Sequence, residues 1–175
     1  VSGNQISPPL SSASWRNKIA PFCNLGRWRR NSVRRSAVAE VLRSDWLTQG
    51  PAIERFERKV ASYVGAKHAV AVSSATAALH IGALALGLKP GATLWTSPNT
   101  FVASANCARY CGAEVDFVDI DSSTLNMSTA ALTEKLAEAE QAGRLPKVLI
   151  PVHFSGQACD MAEIAALSKK YGFRI

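Results

Sequence analysis

From Ser36 onward, short apolar runs bounded by turn residues alternate with longer stretches of helical periodicity, and that alternation limits the fold more than any other feature. Val33, Ala37, Val41 and Leu42 form a helical stripe that ends near Asp45. Thr48-Gln49-Gly50-Pro51 is a turn whose proline can open a helix, and Ile53, Phe56, Val60 and Tyr63 then recur at helical spacing up to Gly65. His68-Ala69-Val70-Ala71-Val72 predicts a strand, and Ser73-Ser74-Ala75 leads into a helix through Leu79, Leu84 and Leu86. Strands follow at Thr93-Leu94-Trp95-Thr96, Val115-Asp116-Phe117-Val118 and Val148-Leu149-Ile150, with helices over 101–111, 129–142 and 161–171. Phe173-Arg174-Ile175 reads as the opening of one more strand, so the domain is expected to continue past it. Strands alternating with helices in this way predict an α/β fold around a parallel sheet. No apolar run approaches the ~18 residues of a membrane-spanning helix.

The formal net charge of +7 would by itself point to nucleic acid or a membrane surface. Its distribution removes that inference. Arg16, Lys18, Arg27, Arg29, Arg30, Arg34 and Arg35 all fall within residues 1–39, which hold no Asp or Glu. The remaining body is formally neutral. Residues 1–35 are therefore read as a basic tail and 36–175 as an incomplete α/β domain. The tail composition fits an organellar transit peptide, a single-strand nucleic-acid binder with Trp15 and Trp28 among its arginines, or a disordered or non-native extension. We adopt the last, because Pro and Ser punctuation breaks any long amphipathic helix. Nucleic acid is not an expected partner of the body.

Cys107 and Cys111 share one helical face, as a metal pair or a reduced pair facing the core; with no His or further Cys nearby, the reduced pair is expected. The cysteines, which form no C-x-x-C, fit a reducing cytoplasm.

Ligands of open α/β sheets bind outside the carboxyl ends of the strands, which directs attention to three junctions. At Ser73-Ser74-Ala75-Thr76, small hydroxylated residues enter a helix: this suits either a phosphate dianion on free N–H groups or an ordinary Ser N-cap. At Pro98-Asn99-Thr100-Phe101, the aromatic can stack on a planar heterocycle or pack in the core. At Pro151-Val152-His153-Phe154-Ser155-Gly156, the histidine can be an acid/base group or purely structural.

Taken in order, Ser-Ser-Ala-Thr-Ala-Ala-Leu, Pro-Asn-Thr-Phe-Val-Ala-Ser-Ala-Asn, Val-Asp-Ile-Asp and Pro-Val-His-Phe-Ser-Gly resemble the N-terminal half of the DegT/StrS sugar aminotransferases. Ser44-Asp45-Trp46-Leu47-Thr48-Gln49-Gly50-Pro51 resembles that family's substrate loop, so the resemblance runs from about Ser36 to Ile175. It implies the large domain of a fold-type I enzyme using pyridoxal 5'-phosphate. Ala75 and Thr76 would hold the cofactor phosphate and Phe101 would stack on its ring. Asp45, Trp46, Leu47, Thr48, Gln49 and Ser74 would contact the nucleotide-sugar, and His153 would lie in a motif beside the cofactor without a defined role. The implied reaction moves an amino group from glutamate to a UDP-linked 4-keto sugar, in a homodimer.

The family's pyridine-nitrogen carboxylate and Schiff-base lysine occur in later stretches that these residues do not include. Lys67, Lys89 and Lys147 adjoin turns, while Lys59, Lys135, Lys169 and Lys170 read as solvated helix faces, so none is expected to substitute. The sequence as given is therefore expected to be inactive. A non-catalytic interaction module and a pyridoxal-phosphate-dependent sugar dehydratase remain as alternatives.

Overall fold

The structure is a computed structural model that describes residues 32–175, so the expectation for the tail falls outside the described residues as far as residue 31. The described residues form two compact units, 32–72 and Ser73–Ile175.

The first unit carries helices α1 (Ser32–Leu42) and α2 (Pro51–Val64). Pro51 lies in the first turn of α2, where its missing N–H costs no hydrogen bond. Gly65 ends the helix in the left-handed region at φ 72°, its N–H donating to the Ala61 carbonyl. Arg55 on α2 reaches Glu40 on α1 at 3.4 Å. In the loop between them, Ser44 Oγ donates to the Val41 carbonyl at 2.8 Å and accepts from the Trp46 N–H at 3.2 Å. Gly50 sits at φ 150°, and a Cβ built there would lie 2.6 Å from Trp46 Cβ. The loop closes only around a residue without a side chain.

The predicted strand at residues 68–72 is corrected: the segment has no ladder partner among the described residues. Alternating apolar residues favour an extended backbone, but a strand also needs a neighbour for its N–H and C=O groups. Here the Ala71 N–H is taken by the Glu57 carboxylate at 2.8 Å.

The second unit is α/β as expected. Its elements are α3 (Ala75–Ala85), β1 (Thr93–Thr96), α4 (Ala103–Tyr110), β2 (Glu114–Phe117), α5 (Thr129–Gln141), β3 (Val148–Ile150) and α6 (Met161–Tyr171). The strands form a parallel sheet in the order β2-β1-β3. Beyond β3, Arg174 pairs in parallel with Val148 and the Leu149 N–H donates to the Arg174 carbonyl at 2.8 Å, so a strand does open where the sequence indicated. The second strand begins one residue earlier than expected, and Val118, past its end, turns into the core. The next correction is α4, which starts at Ala103 rather than near Phe101, because the turn after Pro98 runs through Val102.

Side chains of a strand alternate between faces, and the two cores follow from that alternation. Leu94 and Val148 point to one face, where Ala83 of α3 and Cys107, Ala108 and Cys111 of the α4 segment cover them. Trp95 and Leu149 point to the other, against Leu132 and Leu136 of α5 and Ile164 and Tyr171 of α6. The sheet is thus the middle of three layers. Cys107 and Cys111 are buried, free and core-facing, and burial pushes the Cys107 thiol up.

Candidate functional site

The helices that follow or precede a parallel strand run back against it, and this fixes which helix ends meet the strand ends. α4 leaves directly from the carboxyl end of β1 and α3 packs beside it on the same face. Having returned to β1 through a short turn, α3 extends about 16 Å, so its N-terminus lies toward the carboxyl edge of the sheet. That edge therefore gathers the start of α3 and the loops after β1, β2 and β3, all within the second unit.

At the start of α3, Ser74 is an extended N-cap residue whose Oγ accepts the Ala77 N–H at 3.2 Å. The Ser N-cap alternative is therefore realised. It does not use up the helix end, because among the described residues the first-turn N–H groups of Ala75 and Thr76 have no acceptor. Ser74 and Ala75 are exposed and Thr76 is half-buried. Open amides together with the positive end of the helix dipole suit a phosphate oxygen.

After β1, Thr96 is fully buried and its Oγ1 donates to the Ile150 carbonyl at 2.9 Å, tying the carboxyl ends of β1 and β3 together. Ser97 is also buried, and no hydrogen bond engages its hydroxyl. Phe101 is 75% exposed and stands outside both cores, so the core-packing alternative does not hold. After β3, His153 is exposed, and its Nδ1 accepts the Cys159 N–H at 3.1 Å. A ring nitrogen that accepts carries no proton, so the proton of the neutral ring sits on Nε2.

The loop after β2, marked in the sequence only by its opening Val118-Asp119-Ile120-Asp121 and without a site role, joins the other two. Asn99 Nδ2 donates to the Leu125 carbonyl at 2.8 Å. Asn126, 4% exposed, donates through Nδ2 to the carbonyls of Gln157 and Ala158 at 3.2 and 3.1 Å and accepts the Phe154 N–H on Oδ1 at 3.0 Å. The loop is rigid at its turn. Asp121 Oδ1 accepts from the Ser123 hydroxyl and from the N–H groups of Thr124 and Ser123, and these bonds, the hydroxyl first, hold the exposed carboxyl down at about 2. An Asp-x-x-Thr run before a buried Asn is the signal that could have drawn attention to it.

Asp45, Trp46, Leu47, Thr48 and Gln49 stand exposed together on the loop between α1 and α2, in the first unit. Within the second unit, the lysine that reaches a strand's carboxyl end, Lys135 at the end of β2, has its ammonium engaged there. Lys89 and Lys147 adjoin the amino ends of β1 and β3. Lys135 is engaged with the Phe117 carbonyl at 2.6 Å and Asp116 at 2.8 Å, and Lys169 and Lys170 lie in the last turn of α6.

The second unit is an open α/β sheet with a helix start at its carboxyl edge, the edge at which folds of this class hold their ligands. Residues 30–175 match the model of the DegT/DnrJ/EryC1/StrS aminotransferase family, and the chain belongs to that family. It is 46% identical over 135 residues to the spore coat polysaccharide biosynthesis protein SpsC of Bacillus subtilis, covering 77% of this chain and 33% of that one. It is 40% identical over 136 residues to the UDP-4-amino-4-deoxy-L-arabinose–oxoglutarate aminotransferase of Shewanella sediminis, covering 78% and 34%. Among solved structures it is similar to the sugar aminotransferase Spr1654 of Streptococcus pneumoniae in its PLP form, with TM-score 0.72 and 30% identity over 83% of this chain and 36% of that one. The chain thus spans about a third of the length of the curated relatives it matches. Among the described residues, no helix is long and apolar enough to cross a membrane.

Proposed function

We propose that the chain is the cofactor-cradling part of a nucleotide-sugar aminotransferase that moves an amino group from glutamate to the 4-keto group of a UDP-linked sugar. The observation that carries this is the open start of α3 in a member of this family. The residues present fit pyridoxal phosphate in two respects. The N–H groups of Ala75 and Thr76, with the Thr76 hydroxyl, would bind its phosphate, and the exposed Phe101 ring would stack on its pyridine face. When bound, that cofactor supplies the electron sink for amino transfer. Asp45, Trp46, Leu47, Thr48 and Gln49 would take the nucleotide-sugar. In the second unit, Ser74 would contact the nucleotide-sugar through its O–H proton, since its oxygen already accepts the Ala77 N–H.

Within this class, the order of motifs favours the enzyme that makes UDP-4-amino-4,6-dideoxy-N-acetyl-β-L-altrosamine, in pseudaminic acid biosynthesis. The printed name of the Shewanella relative, a 4-amino sugar nucleotide and oxoglutarate, supports the same kind of substrate and donor. The complete enzyme would act as a cytoplasmic homodimer. Residues 1–175 alone would not catalyse the transfer, because the second unit offers no unengaged lysine at the carboxyl edge, Lys135 being held by Asp116 and the Phe117 carbonyl.

The test is to titrate the chain with pyridoxal phosphate and with pyridoxal, then reduce with borohydride and map the peptides. Saturable binding that needs the phosphate, with no single lysine labelled, is the expected result. Equal affinity for the two compounds would defeat the phosphate cradle, and one lysine labelled in full would defeat the inactivity.

A further inference from the structure

We propose that Asn126 is a positioning residue: its buried carboxamide holds the loop after β3 in the one geometry that makes His153 a hydrogen-bond donor at the carboxyl edge. The proposal rests on the assignment of that edge as the cofactor site and adds how the site is kept in register.

A carboxamide offers two N–H donors and one carbonyl acceptor on a plane. The loop presents the matching set, namely the carbonyls of Gln157 and Ala158 and the N–H of Phe154. No other side chain of that size supplies it. Asp has the shape without the donors, and Ser or Thr brings a single hydroxyl. The orientation of the amide is settled by its partners, since two carbonyls require the nitrogen and an N–H requires the oxygen.

The anchor is stiff. The Asn126 carbonyl accepts the Asp121 N–H at 2.9 Å, and Leu125 before it is held at φ 59°, a left-handed conformation that a leucine disfavours. The Leu125 N–H donates to the Asp121 carbonyl at 2.8 Å, while its own carbonyl accepts from Asn99. Strain of this kind persists only where surrounding bonds over-determine it. Residues 125 and 126 therefore couple the loop that carries Phe101 to the loop that carries His153.

The clamped loop closes on itself through Cys159. Its N–H donates to His153 Nδ1, and its thiol donates to the Val152 carbonyl at 3.2 Å. With Nδ1 occupied as an acceptor, the exposed ring has Nε2–H to offer. A donor there suits an oxygen of the cofactor or substrate, whether phosphate, carboxylate or hydroxyl.

The experiment uses the 175-residue chain with 15N-labelled histidine at pH 8, above the ~6.5 of an ordinary imidazole. Nitrogen shifts of His153, assigned with His68→Gln and His80→Gln, report which ring nitrogen carries the proton. In the unaltered chain the Nε2–H form is expected alone. Asn126→Ala and Asn126→Asp should both give the mixed tautomers of a free imidazole and speed exchange of the Cys159 amide at least tenfold, with α5 and α6 still protected. Asn126→Asp decides the matter if the alanine variant does not fold, because it keeps the volume and the Phe154 acceptor while turning a charged acceptor on the carbonyls of Gln157 and Ala158 in place of the donors. A folded Asn126→Asp chain with His153 wholly in the Nε2–H form would overturn the proposal. Pyridoxal phosphate titration separates the two claims: a tautomer shift in a chain that binds no cofactor supports the positioning role and removes the cofactor assignment.

Discussion

The Ser74 hydroxyl oxygen accepts the Ala77 N–H at 3.2 Å, so the residue that opens α3 spends its acceptor on the helix and leaves the two preceding amides free. Ser74→Ala should lower the stability of the second unit by about 1 kcal/mol, and Ser74→Gly by only a few tenths. Chemical denaturation followed by circular dichroism reads both. Equal losses for the two variants would mean that the hydroxyl does not cap.

Gly50 is the second point where the backbone dictates the residue. At φ 150°, with Trp46 Cβ 2.6 Å from where a side chain would begin, alanine must displace either the helix start or the indole. Gly50→Ala should cost roughly 1–3 kcal/mol and change the emission of Trp46, read as the difference from the same variant carrying Trp46→Phe.

Asp121 gives a pH signature. Its folded-state value of about 2 lies below the ordinary carboxylate value because Ser123 and Thr124 hydrogen-bond to the charged form. Stabilisation from a depressed carboxyl is complete above the unfolded value and is lost as pH falls through the folded one. The amide signals of Ser123 and Thr124 should therefore move in a step centred near pH 2 rather than near the ordinary carboxylate value. Asp121→Asn, which keeps an acceptor and removes the titration, should flatten that change.

Asp116 reports a balance of opposite effects. Burial opposes its charge, but Lys135 and the Phe117 N–H outweigh burial and hold the carboxyl below its ordinary value. Lys135→Met removes the cation and leaves the burial, so the Asp116 carboxyl should titrate at a higher pH, as measured by 13C NMR. The variant should be less stable at neutral pH and should lose less of its stability on acidification than the unaltered chain, because a carboxyl whose folded value is no longer depressed adds nothing above the unfolded value that acid can remove.

Much of this fold was readable because parallel strands buried on both faces are short apolar runs, and Val148-Leu149-Ile150 is one. The run at residues 68–72 has the same composition and fails, since its pairing depends on a neighbour rather than on its own residues. In the site, the hydroxyls before α3 were visible as a helix start. The exposure of Phe101 was not, because local sequence does not say whether an aromatic after a strand turns in or out. Asn126 was invisible for a sharper reason. Its partners lie at Phe154, Gln157 and Ala158, in a loop that only the folded sheet brings beside it.

The phosphate cradle at α3 can be tested by removing a single proton. Ala75→Pro deletes one of the open N–H groups at a first-turn position where proline is tolerated, and Ser74 before it is already extended. A hydrogen bond to a charged group is worth about 1.5–3 kcal/mol, so affinity for pyridoxal phosphate should fall about tenfold or more. The melting temperature and the weak affinity for unphosphorylated pyridoxal should not change. Undiminished affinity for pyridoxal phosphate in a folded Ala75→Pro chain would contradict the assignment of this helix end.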